Sequence, residues 1–167
     1  LDGLFCASSP LDLAACSASI ERPRNRVYQR WLLKRLVRQT LADPHGVSRQ
    51  EEATLVTTPP RSIRDFDSAV TAPRWGFADV EAYYREASPL RHLVSACDQM
   101  PPTLLLQALD DPWVPASAAM DLENALRPDS AVRVLFTRRG GHNGFHGRGG
   151  CWGDQLAAAW LTAITDR

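Results

Sequence analysis

The sequence predicts an α/β domain built on a parallel sheet, and three observations indicate that class. Two short apolar runs, Leu104–Leu106 and Val132–Phe136, have the length and the flanking turn residues of buried strands. A helical pattern over 116–126 lies between them, and parallel neighbours need such a crossover. Each run ends in polar residues, and ligands of open α/β sheets bind outside the carboxyl ends of the strands. We therefore expect chemistry at those two strand ends.

Composition limits the function classes. The chain has 167 residues, 44% of them apolar, and a formal net charge of zero, which fits one globular domain. Zero net charge gives no global field that would draw the chain to nucleic acid or acidic lipid, and local patches are judged separately. No apolar run approaches the length of a membrane span, and no signal peptide is visible. The widely spaced cysteines favour reduced thiols over a disulfide framework or a zinc site, and thus a cytoplasmic protein; they are Cys6, Cys16, Cys97 and Cys151.

Three regions follow from the order of the patterns. Residues 1–19 are predicted to form a core strand, Leu4–Ala7, and the loop after it; the abrupt start in a strand suggests the C-terminal part of a longer protein. Residues 20–100 carry helical patterns and are predicted to be a lid or cap. Residues 101–167 are predicted to hold the remaining strands and helices, ending in a helix over 152–165.

The first long helical pattern, from Ile20 to Ala42, is basic and amphipathic. Arginines and lysines alternate with apolar residues over 22–38, next to Trp31. Such a helix can contact a membrane surface or another anionic partner. A solvated helix packed on its own domain explains the same pattern, and we prefer that interpretation.

The polar strand ends offer a carboxylate and an imidazole. Asp110 and Asp111 follow the first apolar run, and His142 follows the second after two glycines. A carboxylate that orients a histidine is the arrangement that activates the nucleophile of a serine hydrolase. The alternative for the aspartates is a simple turn before Pro112.

His142 has two further interpretations. It could be an ordinary loop histidine, or it could bind a metal together with His146, four residues later. The many glycines of 140–150 argue against the helix that would place both rings on one face. We therefore expect no metal at His142. The chain also lacks a glycine-rich phosphate loop, so we expect no cofactor either.

Several stretches taken together resemble the YheT-like branch of the α/β-hydrolases, a family of esterases and lipid-ester hydrolases. They cover most of the chain in the family's order and read SSPLDLAAC, ERPRNRVYQRWLLKRL, IRDFDSAVTAPRWGFADVEAYYREAS, PTLLLQALDDPWVP and GGHNGF. The resemblance implies the C-terminal part of an α/β-hydrolase fold, with about three mostly parallel strands, flanking helices and a helical lid insertion.

By resemblance, Asp111 is the triad acid and His142 the general base, with Asp110 the weaker candidate for the acid. The family's nucleophile elbow and oxyanion loop have no counterpart here, since no serine has glycine two positions before and after it. We therefore expect the nucleophile upstream, in the missing N-terminal half of the protein, and no activity from this chain alone.

The sequence thus predicts the C-terminal portion of a serine carboxylic-ester hydrolase, possessing esterase or acyltransferase chemistry. Its partner would be a small ester with an apolar acyl chain, held by an aromatic wall that comprises Trp75, Phe77, Tyr83, Tyr84 and Trp113. The alternative is a non-catalytic interaction module, or a membrane-surface module that binds weakly through the basic helix 22–38.

Overall fold

The structure, a computed structural model, describes residues 1–165 and divides them into two compact units. The first, the sheet unit, comprises residues 1–12 and those from Ser88 onward. The second, the helical unit, comprises Leu13–Ala87. Both polar strand ends singled out in the sequence belong to the sheet unit.

The sheet unit is built on three strands, β1 (Leu4–Ala7), β2 (Thr103–Ala108) and β3 (Val132–Thr137). They lie in the order β1-β2-β3, and both pairings are parallel. The predicted α/β class with a parallel three-stranded sheet is confirmed. Because the strands are parallel, the residues after β2 and those after β3 emerge at the same edge.

Every residue of the central strand β2 is buried. Successive side chains of a strand point to opposite faces. On one face Leu105 packs with Leu122 of α8 (Ser117–Ala125), and on the other Leu106 packs with Phe145. Trp152, the first residue of α9 (Trp152–Thr165), joins the second cluster. Burial on both faces explains why the strand contains the continuous apolar run Leu104–Leu106.

The rest of the sheet unit consists of short elements. Helix α7 (Pro89–Ala96) continues into a 3₁₀ turn (Cys97–Gln99) before β2. Two-residue strands β4 (His146–Gly147) and β5 (Gly150–Cys151) pair antiparallel ahead of α9. The sequence did not predict this hairpin, because two-residue strands carry no alternation of apolar and polar positions.

Six helices form the helical unit. They are α1 (Leu13–Ile20), α2 (Arg26–Leu41), α3 (Arg49–Thr57), α4 (Ile63–Phe66), α5 (Ala72–Arg74) and α6 (Val80–Ala87), with a π-helical segment (Asp67–Thr71) joining α4 to α5. Their core comprises Leu33, Leu55, Phe66 and Val70. No helix within residues 1–165 has the length and apolar character needed to cross a bilayer.

Two sequence expectations about this unit are wrong. The helix predicted to begin at Ile20 begins at Arg26, because Pro23–Asn25 forms a separate 3₁₀ turn, so Arg22 and Arg24 precede α2. The loop expected to follow β1 through residue 19 is replaced by α1 from Leu13 onward. Small residues dominate α1, so it shows no helical periodicity although its composition suits a helix.

The burial of β2 gives a direct test of the sheet. Leu106 is 1% exposed, whereas Leu135, its partner across the β2–β3 pairing, is 39% exposed. We expect Leu106→Ala to lower the free energy of unfolding by about 2–5 kcal/mol, through lost burial and a cavity. Leu135→Ala, the matched control, should cost less than about 1 kcal/mol. Similar losses in urea titrations of the two variants would contradict the described packing.

Candidate active site

Asp111 is held in a tight loop directly after β2. Its Oδ1 accepts hydrogen bonds from the backbone N–H groups of Trp113 and Val114, each at 2.9 Å. The buried Gln107 side chain donates to the Val114 carbonyl at 3.2 Å and fixes the far end of the same loop. A short polar side chain that binds backbone two and three residues ahead is the usual way that aspartate closes a turn. The turn interpretation of the sequence therefore applies to one carboxylate oxygen of Asp111.

The other oxygen of Asp111 faces His142. The distance from Asp111 Oδ2 to His142 Nδ1 is 3.1 Å. The Asp111 side chain is 1% exposed and that of His142 is 25% exposed, so the carboxylate is covered while the imidazole reaches the surface. The Trp113 ring packs against the imidazole, with centroids 4.8 Å apart. The structure thus brings Asp111, His142 and Trp113 together.

The contact determines the tautomer of His142. An ionised carboxylate can only accept hydrogen bonds, so the proton of a neutral imidazole must lie on Nδ1. The lone pair is then on Nε2, which has no hydrogen-bond partner among the described residues. An imidazole in this state can take a proton from a neighbouring group through Nε2.

The surroundings of Asp111 favour its ionised form. Burial by itself raises the pKa of the carboxyl. The hydrogen bond with His142 and those from the Val114 and Trp113 N–H groups outweigh burial, and together they hold the pKa of Asp111 below its ordinary value. Asp111 is therefore ionised over the neutral pH range and can accept a hydrogen bond from His142 Nδ1.

Asp110, the weaker candidate for the acid, has a different task in the structure. Its Oδ1 accepts from the backbone N–H groups of Gly140 and Gly141, at 2.9 and 2.8 Å. It contacts the chain immediately before His142 and not the imidazole. Adjacent carboxylates therefore position the site in two ways, since Asp111 binds the ring and Asp110 binds the backbone that carries the ring.

Ser8 holds the same loop from the other side. Its Oγ accepts from the Asn143 N–H at 3.2 Å, and the residue is 2% exposed at the end of β1. Ser8 has a φ of 50°, in the left-handed region where a serine is uncommon. The backbone of residues 140–143 is thus fixed by Asp110 before the histidine and by Ser8 after it.

The glycines around His142 allow this loop to lie against the sheet. Gly141 has a φ of 53°, which suits glycine. A Cβ on Gly140 would lie 2.6 Å from the Phe145 ring, a distance that the packing does not allow. Phe145 is 2% exposed and anchors the end of the loop in the core beside Leu106.

The four other predicted wall residues all belong to the helical unit. Trp75 is 76% exposed. The Tyr83 ring packs between those of Phe77 and Tyr84 in tilted contacts, with ring centroids 5.3 and 5.4 Å apart. Tyr84 is 4% exposed, and its hydroxyl is bonded to Asp67 at 2.7 Å. Tyr84 is thus a core side chain of its unit, and the role of these residues in substrate binding stays a prediction.

The metal interpretation of His142 and His146 finds no wider ligand set. Within residues 1–165, His, Cys, Asp and Glu side chains form no group of three that could hold a metal ion. His146 lies in the exposed strand β4.

Sequence reasoning found the paired side chains but missed the residues that hold them. The sequence indicates no role for Ser8 at the site, and it predicts Asp110 only as the weaker candidate for the acid. A polar residue at the end of each of three predicted parallel strands was the available signal, because parallel strands gather those ends at one edge.

This fold and its relatives define the chain as an α/β-hydrolase. "Putative esterase YheT" of Escherichia coli is 34% identical over 176 residues, which cover 99% of this chain and 48% of that protein. "Phospholipase ABHD3" of Mus musculus is 33% identical over 131 residues, 78% of this chain and 31% of that protein.

"Monoacylglycerol lipase" of Saccharomyces cerevisiae is 32% identical over 85 residues, 51% of this chain and 18% of that protein. No protein-family model matches the sequence. The chain belongs to the YheT-like α/β-hydrolases and spans about half the length, or less, of these relatives.

The lowered pKa of Asp111 predicts how stability depends on pH. Because the folded-state pKa lies below the unfolded one, ionised Asp111 stabilises the fold fully above the ordinary value of 3.8. That contribution is lost as the pH falls through the folded-state pKa. We expect urea titrations to show a difference between wild type and Asp111→Asn that shrinks over this acidic window. The control Asp121→Asn, exposed on α8, should stay within about 0.5 kcal/mol of wild type. A constant Asp111→Asn difference down to the lowest pH would contradict the assignment.

The Asp110 contacts predict a second outcome. Asp110→Ala removes the acceptor of two backbone N–H groups in an exposed contact, so we expect the free energy of unfolding to fall by about 0.5–1.5 kcal/mol. Asp110→Asn keeps an acceptor oxygen and should restore most of the loss. Asp129→Ala, which breaks only an exposed ion pair with Arg127, should cost less than about 1 kcal/mol. Equal losses for the two alanine variants would show that Asp110 does not hold the loop.

Proposed function

We propose that this chain supplies the acid and the base of a serine carboxylic-ester hydrolase. His142 is the general base, Asp111 orients it and stabilises its protonated form, and the serine nucleophile belongs to sequence outside this chain. The observation that carries the proposal is the 3.1 Å contact between Asp111 Oδ2 and His142 Nδ1 at the ends of neighbouring parallel strands.

The proposed reaction follows from the tautomer of His142. The serine oxygen attacks the ester carbonyl while Nε2 takes the serine proton, and the imidazolium is stabilised by Asp111. The imidazolium then gives the proton to the leaving alcohol, and an acyl-enzyme remains. Water, or a second alcohol in an acyltransferase, resolves the acyl-enzyme with His142 again acting as the base.

Two arguments support a nucleophile outside this chain. No serine here has glycine two positions before and two positions after it, the pattern of the strained strand-to-helix turn in these hydrolases. The chain also matches only 48% of the length of the Escherichia coli relative. An acid and base without nucleophile or oxyanion donors lose several orders of magnitude in rate, so we expect the chain alone to be inactive.

The names of the relatives support an ester with an apolar acyl chain as the substrate class. One relative is named a phospholipase and another a monoacylglycerol lipase. Trp113 is the aromatic side chain beside His142 and is proposed to contact the substrate near the reacting carbonyl. Trp75, Phe77, Tyr83 and Tyr84 are proposed as further parts of an acyl-binding wall.

Hydrolysis of p-nitrophenyl butyrate tests the proposal. We expect activity from the chain extended upstream to the start of its gene and none from the present chain. In the extended protein, Asp111→Asn should lower kcat by roughly 10⁴-fold, as expected when a triad acid is replaced. His142→Ala should lower it at least as much.

Two exposed residues provide the matched controls. Asp121→Asn and His45→Ala make the same chemical changes away from the site, and each should retain activity within about twofold, since exposed substitutions change stability little. A well-folded extended protein without esterase activity would overturn the proposal. Full activity in His142→Ala would remove His142 as the base.

A further inference from the structure

A groove in the helical unit combines cations with an apolar floor. It has a volume of about 750 Å³ and lies between α2 and the segment before α4. The cations that line it are Arg30, Lys34, Arg38 and Arg61, and the apolar residues are Leu33, Val37, Leu41, Pro59 and Pro60. We call it the cationic groove. None of its lining residues has a role in the proposed reaction.

The charges of the cationic groove are not neutralised within the described chain. Among residues 1–165, none of its four cations forms an ion pair. The nearby Asp65 carboxylate is bound to the backbone N–H groups of Arg61 and Ser62, at 3.0 and 3.1 Å. Arg74 of the same unit, by contrast, contacts both Asp43 and Glu51. The groove therefore presents positive charge to an external anion.

The spacing of the cations favours a surface of repeated anions over a single one. Arg30, Lys34 and Arg38 follow one another at intervals of four residues, so they form a row along one side of α2. At about 1.5 Å of rise per residue the row is about 12 Å long. A lone carboxylate can meet one or two of these charges, whereas neighbouring phosphates can meet all of them.

Exposed apolar side chains on the same helix favour lipid over nucleic acid. Val27 is 82% exposed, Trp31 52% and Leu41 39%, and at 100° per residue they share the arc of the cation row. The Trp31 ring stacks on Tyr28, with centroids 5.8 Å apart, and the Arg35 guanidinium lies 4.9 Å from its centroid. Tryptophan and aliphatic residues beside a row of cations are typical of helices that lie in a membrane interface.

We infer that this face of α2 docks on an anionic lipid surface. Headgroup phosphates bind Arg30, Lys34, Arg38 and Arg61, and Trp31 and Val27 enter the interface beside them. The docking cations lie within α2 and in the segment before α4, so Arg22 and Arg24, which precede the helix, are not needed. The inference does not depend on hydrolysis, because no reacting residue belongs to this face.

Vesicle flotation with the present chain tests the inference. We expect binding to phosphatidylcholine vesicles that contain phosphatidylglycerol, and no binding to pure phosphatidylcholine. The triple variant Arg30→Gln, Lys34→Gln, Arg38→Gln should bind the mixed vesicles roughly a hundredfold more weakly, since each basic residue near an anionic surface strengthens binding severalfold. Binding of the wild-type chain should weaken as salt is raised.

Two matched controls separate this face from net charge and from exposed apolar side chains in general. The first control is a triple variant that removes three exposed arginines elsewhere, Arg49→Gln, Arg91→Gln and Arg148→Gln. It has the same net charge as the groove triple variant, and we expect it to bind the mixed vesicles like wild type. Trp31→Ala and Val27→Ala should weaken binding, whereas Val56→Ala, at a valine of α3 that is 63% exposed, should not.

Several outcomes would overturn the inference. The first two are an equal loss of vesicle binding in the two triple variants and equal wild-type binding to both kinds of vesicle. The others are unchanged vesicle binding in Trp31→Ala, and wild-type binding to single-stranded RNA without binding to mixed vesicles. Circular dichroism shows whether each variant keeps its helices. If the groove triple variant unfolds, the effect of salt on vesicle binding by the wild-type chain tests the inference instead. Wild-type binding that does not weaken as salt is raised overturns it. Esterase activity of the extended protein is a separate measurement, so either proposal can fail alone.

Discussion

The hydrogen bond between Asp111 and His142 depends on the parallel pairing of β2 with β3. The two residues are 31 positions apart, yet each lies just beyond the carboxyl end of its own strand. Pairing Thr103 with Val132 in register carries both strands to the same edge together. A shift of one residue in that register would turn the side chains to opposite faces, so the apolar pattern that fixes the register also aligns Asp111 with His142.

A buried carboxylate needs hydrogen-bond partners for both of its oxygens. The partners of Asp111 lie two and three residues further along the chain and in the loop after the neighbouring strand β3. Backbone N–H groups satisfy Oδ1 and the imidazole satisfies Oδ2. The costs of burying the charge are thereby offset, and the charge remains where it can stabilise an imidazolium. Asp110, exposed beside it, needs no such environment, and its contact with Gly140 and Gly141 stabilises the loop instead.

The strands and the paired side chains could be predicted because their signals are local. β2 contains the apolar run Leu104–Leu106, and the residues after β2 and β3 are more polar than those within the strands. The support of the histidine loop could not be predicted, since the contact of Ser8 with Asn143 joins residues 135 positions apart through the order of strands. The helix α1 was missed for another reason, because small residues give no contrast between a buried and an exposed side.

The contacts that orient His142 all come from the sheet unit. Asp111 fixes the ring, Asp110 and Ser8 fix the backbone on either side, and Phe145 anchors the end of the loop in the core. In the proposed reaction, an Asp111–His142 pair held by its own strands and loops is oriented before the serine takes part. Its orientation needs no rearrangement at the moment of reaction, which is the condition under which a positioned base is most effective. Under the proposed function, the serine meets a histidine whose direction is already set by β1, β2 and β3.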